Sequence, residues 1–202
     1  MSPLLANVYF RRFLLAWKKF GHQERFDSVV VNYADDFVIC CRPGNGQAAR
    51  AAMTQIMGKI GLQVNEEKTR LVRVPGENFN FLGYTIGRFY GKGGQPFIGT
   101  RPSRKAVMRL LREIHEQTSS QWNASEPEVR IKVLNAKISG WAGYFNQGPV
   151  VHIYKRIQTY TDARVRRWLM RRRKKRGTGC VANILTRFSM GTRPHSTSEE
   201  SS

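Results

Sequence analysis

Apolar residues recur along this chain with two different periods, and the change of period divides it. Ser2-Pro3 followed by Leu4, Leu5, Val8, Tyr9 and Phe13 predicts a helix to about Lys19, with Ser as N-cap and Pro at the first helical position. Val29-Val30-Val31 and Phe37-Val38-Ile39-Cys40 are β-branched and aromatic runs that predict short strands, and the Ala34-Asp35-Asp36 corner between them predicts a tight hairpin. After a Pro43-Gly44-Asn45-Gly46 loop, Ala49, Ala52, Met53, Ile56 and Ile60 return at helical spacing until Gly61 stops them. Residues 62–65 and 69–74 read as short extended pieces, and Phe79 to Ile86 alternates as one half-buried strand should.

The glycine-rich stretch from Gly87 to Gly99, closed by Pro102, reads as a boundary, and beyond it the period is helical. Val107, Leu110, Leu111 and Ile114 share a face. Pro127 opens a second helix with Ile131, Leu134 and Ile138 before Gly140, and a third begins near Val150. The expected class is therefore α+β: strands with packed helices over residues 1–90, a connection over 91–102 and a helical domain over 103–176. A basic-to-polar tail follows from 177 to 202, and its end from Gly191 has too little to bury and is expected to be disordered.

Composition sharpens this picture. Lys and Arg number 34 against 14 acids in 202 residues, a formal net charge of +20 that favours a polyanionic partner, nucleic acid before an anionic membrane. No apolar run approaches the roughly 20 residues of a membrane span and the start lacks a signal-peptide core, so a cytoplasmic protein is expected. Cys40, Cys41 and Cys180 have neither zinc-site spacing nor an even count for disulfides. From Arg164 to Arg176, nine of thirteen residues are cationic: Arg164, Arg166, Arg167, Arg171, Arg172, Arg173, Lys174, Lys175 and Arg176. Such density repels itself without a polyanion, which points to RNA or DNA contact rather than a merely solvated face.

The chemistry sits in Tyr33-Ala34-Asp35-Asp36. Adjacent acids are ordinary in turns, but here they interrupt an apolar run in a strongly basic chain, where a divalent cation would offset their cost. Two-metal nucleotidyl transfer holds two Mg²⁺ ions about 3.5 to 4 Å apart on carboxylates, and Asp35 and Asp36 could supply part of that cage. At least one further acid from another segment is expected.

Tyr33-Ala34-Asp35-Asp36 between apolar strands resembles the palm motif of reverse transcriptases. Three other segments agree in order: Ser2 to Tyr9 resembles the helix preceding that motif in group II intron and retron-type enzymes, Gly61 to Thr69 resembles their next motif, and Phe79 to Tyr84 resembles the primer-grip segment. Leu134 to Phe145 resembles the maturase-specific region, the X or thumb domain, of bacterial group II intron proteins. The resemblance implies a partial reverse transcriptase palm followed by a helical thumb, with RNA-directed DNA polymerase and splicing-maturase activities, Mg²⁺ as cofactor, and intron RNA and a DNA target or primer as partners. It further implies that Asp35 and Asp36 are metal ligands and that Lys68 protonates the leaving pyrophosphate. Tyr33, Ala34 and Asn7 would lie near the nucleotide, and Phe81, Leu82 and Gly83 would set the primer. Read without the family, Lys68 is a solvated lysine, Asn7 a polar helix residue and Phe81 a core strand residue. Trp141, Tyr144 and Phe145 suit thumb packing better than stacking on bases.

The chain also departs from that pattern. It opens at what resembles the middle of a palm, without the fingers or the segment that supplies the first metal-binding Asp, and Asp27 is too close to the hairpin to replace it. The expectation is a truncated or split enzyme, inactive alone for want of a complete metal site, with a separately encoded amino-terminal half as a candidate partner. No Cys/His cluster of an HNH endonuclease follows the basic helix. The alternatives are a non-catalytic RNA-binding maturase fragment acting through its basic thumb, and a decayed reading frame.

Overall fold

A computed structural model of the chain describes residues 3–34, 36–91 and 93–176, with side chains between residues 7 and 172. They fall into two compact units, within residues 1–81 and 82–202.

The first unit is built on α1 (Pro3–Lys19), a short α2 (His22–Arg25), the strands β1 (Val29–Tyr33) and β2 (Asp36–Cys40), α3 (Gly46–Lys59) and a short β3 (Phe79–Phe81). The face of α1 that is buried is Phe10, Phe13 and Trp17, spaced by three and four residues, whereas Val8 and Tyr9, expected in the apolar stripe, are exposed. Those rings meet Phe26 and, from α3, Ala49, Met53, Ile56 and Met57. Complete burial of Phe13 alone removes enough apolar surface to contribute roughly 2 to 3 kcal/mol. Trp17 Nε1 donates to Ser28 Oγ at 3.2 Å, and that hydroxyl donates to the His22 carbonyl, so the buried indole is satisfied.

α3 stops as expected at Gly61, whose φ of 76° is open to a residue without a Cβ. Leu62 N–H reaches the Met57 carbonyl and Gly61 N–H the Gly58 carbonyl, the paired bonds of a Schellman end. Residues 62–65 and 69–74 are not strands. Asn65 instead closes a local turn, its carbonyl accepting from Lys68 and Thr69 N–H and its Oδ1 accepting from Lys68 N–H at 3.1 Å.

The second unit opens with β4 (Tyr84–Tyr90) and β5 (Pro96–Pro102), paired antiparallel from Tyr84 opposite Pro102 to Tyr90 opposite Pro96. Two expectations change here. The stretch from Phe79 to Ile86 is not one strand: it breaks at Leu82 and Gly83, both with positive φ, between β3 and β4. The glycine-rich segment expected as a connection is instead the β4–β5 hairpin, with Gly87 and Gly99 facing each other and a Phe89–Phe97 pair beside them. Prolines at both ends of β5 respect the limits of a residue without an N–H.

Among the described residues three α-helices follow: α4 (Arg104–Gln117), α5 (Pro127–Tyr144) and α6 (Val151–Arg176). Ser103 caps α4, its hydroxyl accepting from Ala106 N–H at 3.2 Å. The core joins Val107, Leu110, Leu111 and Ile114 to Leu134 and Ile138 and to Ile157, Val165, Trp168 and Leu169. α5 continues through Gly140, where a stop was expected, because Leu134, Ile138, Trp141 and Phe145 keep one inward stripe. That burial outweighs the roughly 1 kcal/mol a helical glycine costs. The polar tail lies outside the described residues.

Candidate nucleotidyl-transfer site and nucleic-acid surface

Strand alternation decides what the hairpin shows to solvent. Val30, Phe37 and Ile39 face the α1/α3 core, so their neighbours must face away. The register pairs Val29 with Cys40, Val31 with Val38 and Tyr33 with Asp36 on that outward face. Tyr33 is 66% exposed and Asp36 is exposed beside it. Ala34, which follows β1, carries a φ of 52°, the left-handed conformation that tight hairpin turns demand. Asp35 itself lies outside the described residues.

Adjacent carboxylates are hard oxygen donors, and one or two of them with water and phosphate oxygens suffice for Mg²⁺. An exposed Asp36 at a hairpin end suits that donor chemistry. Among the described residues, no three His, Cys, Asp or Glu side chains gather into a larger cage. Asn7 is exposed on α1, and Lys68 is exposed with its backbone fixed by Asn65. Phe81 and Leu82 are half-buried and Gly83 is exposed. Burial, reinforced by Cys40 next to it, pushes the Cys41 thiol above its ordinary range, which suits an inert strand-end residue.

The arginines of α6 separate into two sets. Arg164 is buried: its Nε donates to Thr118 Oγ1 at 3.0 Å and its Nη2 to the His115 and Thr118 carbonyls. Burial lowers its pKa, with the neighbouring Arg171 and Arg167 acting in the same direction. Arg172 is also buried, donating to the Ser125 carbonyl and lying 3.7 Å from Glu126. These two were expected to hold nucleic acid. In the fold their donors are directed at the His115, Thr118 and Ser125 carbonyls, at the end of α4 and on the chain that follows it. Arg171 is exposed yet also donates to the Thr118 carbonyl at 3.0 Å, whereas Arg166 and Arg167 are exposed. The side chains of Arg173, Lys174, Lys175 and Arg176 lie outside the described set.

A second row of cations went unread in the sequence. Arg104, Lys105, Arg109 and Arg112 lie on the exposed side of α4, opposite its buried leucines. Its signal was available, because Arg109 and Arg112 alternate with Val107, Leu110, Leu111 and Ile114, and Arg104 and Lys105 precede them on the same helix. Glu113 is their local counter-charge, 3.3 Å from Arg109 and 3.2 Å from Lys137. The aromatics of the Leu134–Phe145 segment pack rather than splay: Trp141 and Phe145 have ring centres 4.6 Å apart, and Phe145 is buried. Tyr144 stays more than half exposed.

Comparison with known families follows the same division. A family model described as reverse transcriptase (RNA-dependent DNA polymerase) matches residues 1–86, and one described as group II intron, maturase-specific domain matches residues 107–187. No curated protein matches the chain. Consecutive and without overlap, the matches define a reverse transcriptase segment joined to a maturase-specific domain. The chain belongs to the group II intron reverse transcriptase/maturase family. Membership implies intron RNA as a partner and, as in reverse transcriptases generally, use of a divalent metal. Among the described residues no helix is long and apolar enough to cross a membrane.

Proposed function

We propose that this protein serves RNA-directed DNA synthesis on a group II intron and the folding of that intron for splicing, with Asp35 and Asp36 as the carboxylate arm of the catalytic site. The observation that carries this reading is the Tyr33–Asp36 pair, presented on the outward face of a hairpin whose inward face is anchored to α1 and α3. Mg²⁺ bound there would activate the primer hydroxyl and neutralise the leaving pyrophosphate. Tyr33, Ala34 and Asn7 border the nucleotide, Lys68 supplies a proton to the departing phosphate, and Phe81, Leu82 and Gly83 meet the primer. Residues 1–90 act as palm and 103–176 as thumb, whose exposed Arg166, Arg167 and Arg171, with the cations of α4, grip intron RNA and the DNA target. The test is primer extension on an RNA template with Mg²⁺ and dNTPs. Extension by the chain joined by a separately encoded amino-terminal half, lost in Asp35→Ala and Asp36→Ala with RNA affinity kept, is the expected result.

A second reading is favoured by one observation: among the described residues no three His, Cys, Asp or Glu side chains gather into a group that could hold a metal ion. On that reading the chain binds and folds RNA through its cationic helices and does not polymerise alone. Salt-titrated binding to structured RNA, with no extension under any metal condition, would select it.

A further inference from the structure

We propose that Tyr84 and Tyr144 are positioning residues, a reciprocal clasp by which the end of α5 sets the Leu82–Gly83 turn. The inference rests on the reading of that turn as the primer-facing one. The Tyr84 hydroxyl donates to the Tyr144 carbonyl at 2.5 Å, and the Tyr144 hydroxyl donates back to the Leu82 carbonyl at 3.0 Å. Ser103 N–H donates to the Gly83 carbonyl at 2.8 Å, so both turn carbonyls are held. The Tyr84 ring lies 5.0 Å from that of Phe145, and a Cβ at Gly83 would come within 3.0 Å of Phe145 Cζ. The end of α5 is fixed in turn by Tyr154, whose hydroxyl is shared between the Ala142 and Phe145 carbonyls at 3.0 and 2.9 Å.

Two features raise this above ordinary packing. Leu82 has a φ of 50°, a conformation that a branched side chain keeps only where its surroundings impose it, and Tyr144 holds the carbonyl of that very residue. Both clasp bonds are exposed, where a hydrogen bond exchanged with water contributes little to stability, so their geometry matters more than their energy. Leu82 and Tyr84 fall in the segment matched as reverse transcriptase and Tyr144 in the segment matched as maturase-specific domain. The clasp thus gives the maturase helix control of where the turn presents its backbone to a primer strand.

The experiment compares the full chain with Tyr144→Phe and Tyr84→Phe, each keeping its ring and losing one hydroxyl, and with Tyr160→Phe, whose hydroxyl faces His115 instead. Three quantities are read: amide exchange at Ser103, affinity for a labelled DNA primer annealed to an RNA template, and affinity for a structured RNA without a primer. Expected are several-fold faster exchange at Ser103 and about five-fold weaker primer–template binding in both clasp variants, with structured-RNA affinity unchanged and Tyr160→Phe behaving like the parent. Unchanged exchange in both variants overturns the clasp. Faster exchange with unaltered primer–template affinity overturns its positioning role. Failure of the parent to discriminate primer–template from structured RNA overturns the reading of the turn itself, and the exchange data still report the clasp separately.

Discussion

Arg164 and Thr118 are joined by a buried hydrogen bond of 3.0 Å from Nε to Oγ1, across 46 residues of chain. The Thr118 hydroxyl donates onward to the Ile114 carbonyl at 2.8 Å, so the pair closes the last turn of α4 and places a cation at its negative end. Arg164→Ala would leave the His115 and Thr118 carbonyls without that donor in a buried setting, at an expected cost of about 2 to 3 kcal/mol. Urea denaturation followed by circular dichroism measures it. Arg164→Lys should recover less than half, since one ammonium cannot reproduce the planar fork.

Arg166 and Arg167 should behave in the opposite way. Replacing either by Ala is expected to change stability by less than about 0.5 kcal/mol, as for exposed positions generally. Each should lower the slope of log affinity against log salt for structured RNA by roughly one. Equal slopes in parent and variants would remove these arginines from the RNA surface.

The division within α6 was not legible in the sequence. Nine cations in thirteen residues look alike in composition, and only the fold brings Thr118 and Ser125 beneath Arg164 and Arg172. Local features were readable: the Asp-Asp hairpin, and the stop of α3 at Gly61, depend on neighbours in sequence. The break at Leu82–Gly83 was hidden because a two-residue turn interrupts the alternation of Phe79 to Ile86 too briefly to register. The glycines of β4 and β5 misled for another reason: glycine signals a loop by itself, but cross-strand partners outweigh it. Of the site, the sequence located the acidic pair, and the register added which face of the hairpin carries Tyr33 and Asp36.

Alkaline titration should weaken the second unit. Burial raises the pKa of Tyr84 and of Tyr154 above the ordinary 10.0, so the folded state holds these protons more tightly than the unfolded chain. Their contribution is complete below pH 10 and is lost as pH rises through the higher folded values. A urea midpoint that falls more steeply above pH 10 in the parent than in Tyr84→Phe is the expected outcome.

Ala34 offers a test of strain beside the acids. A non-glycine residue at a φ of 52° carries about 1 to 2 kcal/mol of conformational cost. Glycine relieves this but loses more freedom on folding, so Ala34→Gly should raise stability by only about 0.5 kcal/mol. Differential scanning calorimetry would register the gain, and a fall in melting temperature would contradict it.

The β1–β2 ribbon has a colloidal consequence. Among the described residues it is a two-stranded sheet, with Val29 and Val31 exposed and neither outer edge paired. Such edges template aggregation, and the net charge of +20 keeps molecules apart while the solution is dilute in salt. Screening shortens that repulsion to about 8 Å at physiological ionic strength. Added salt, which protects many basic proteins from adventitious polyanions, should therefore make purified stocks of this one less soluble, and a bound nucleic acid that cancels the charge should do the same unless it also covers the ribbon.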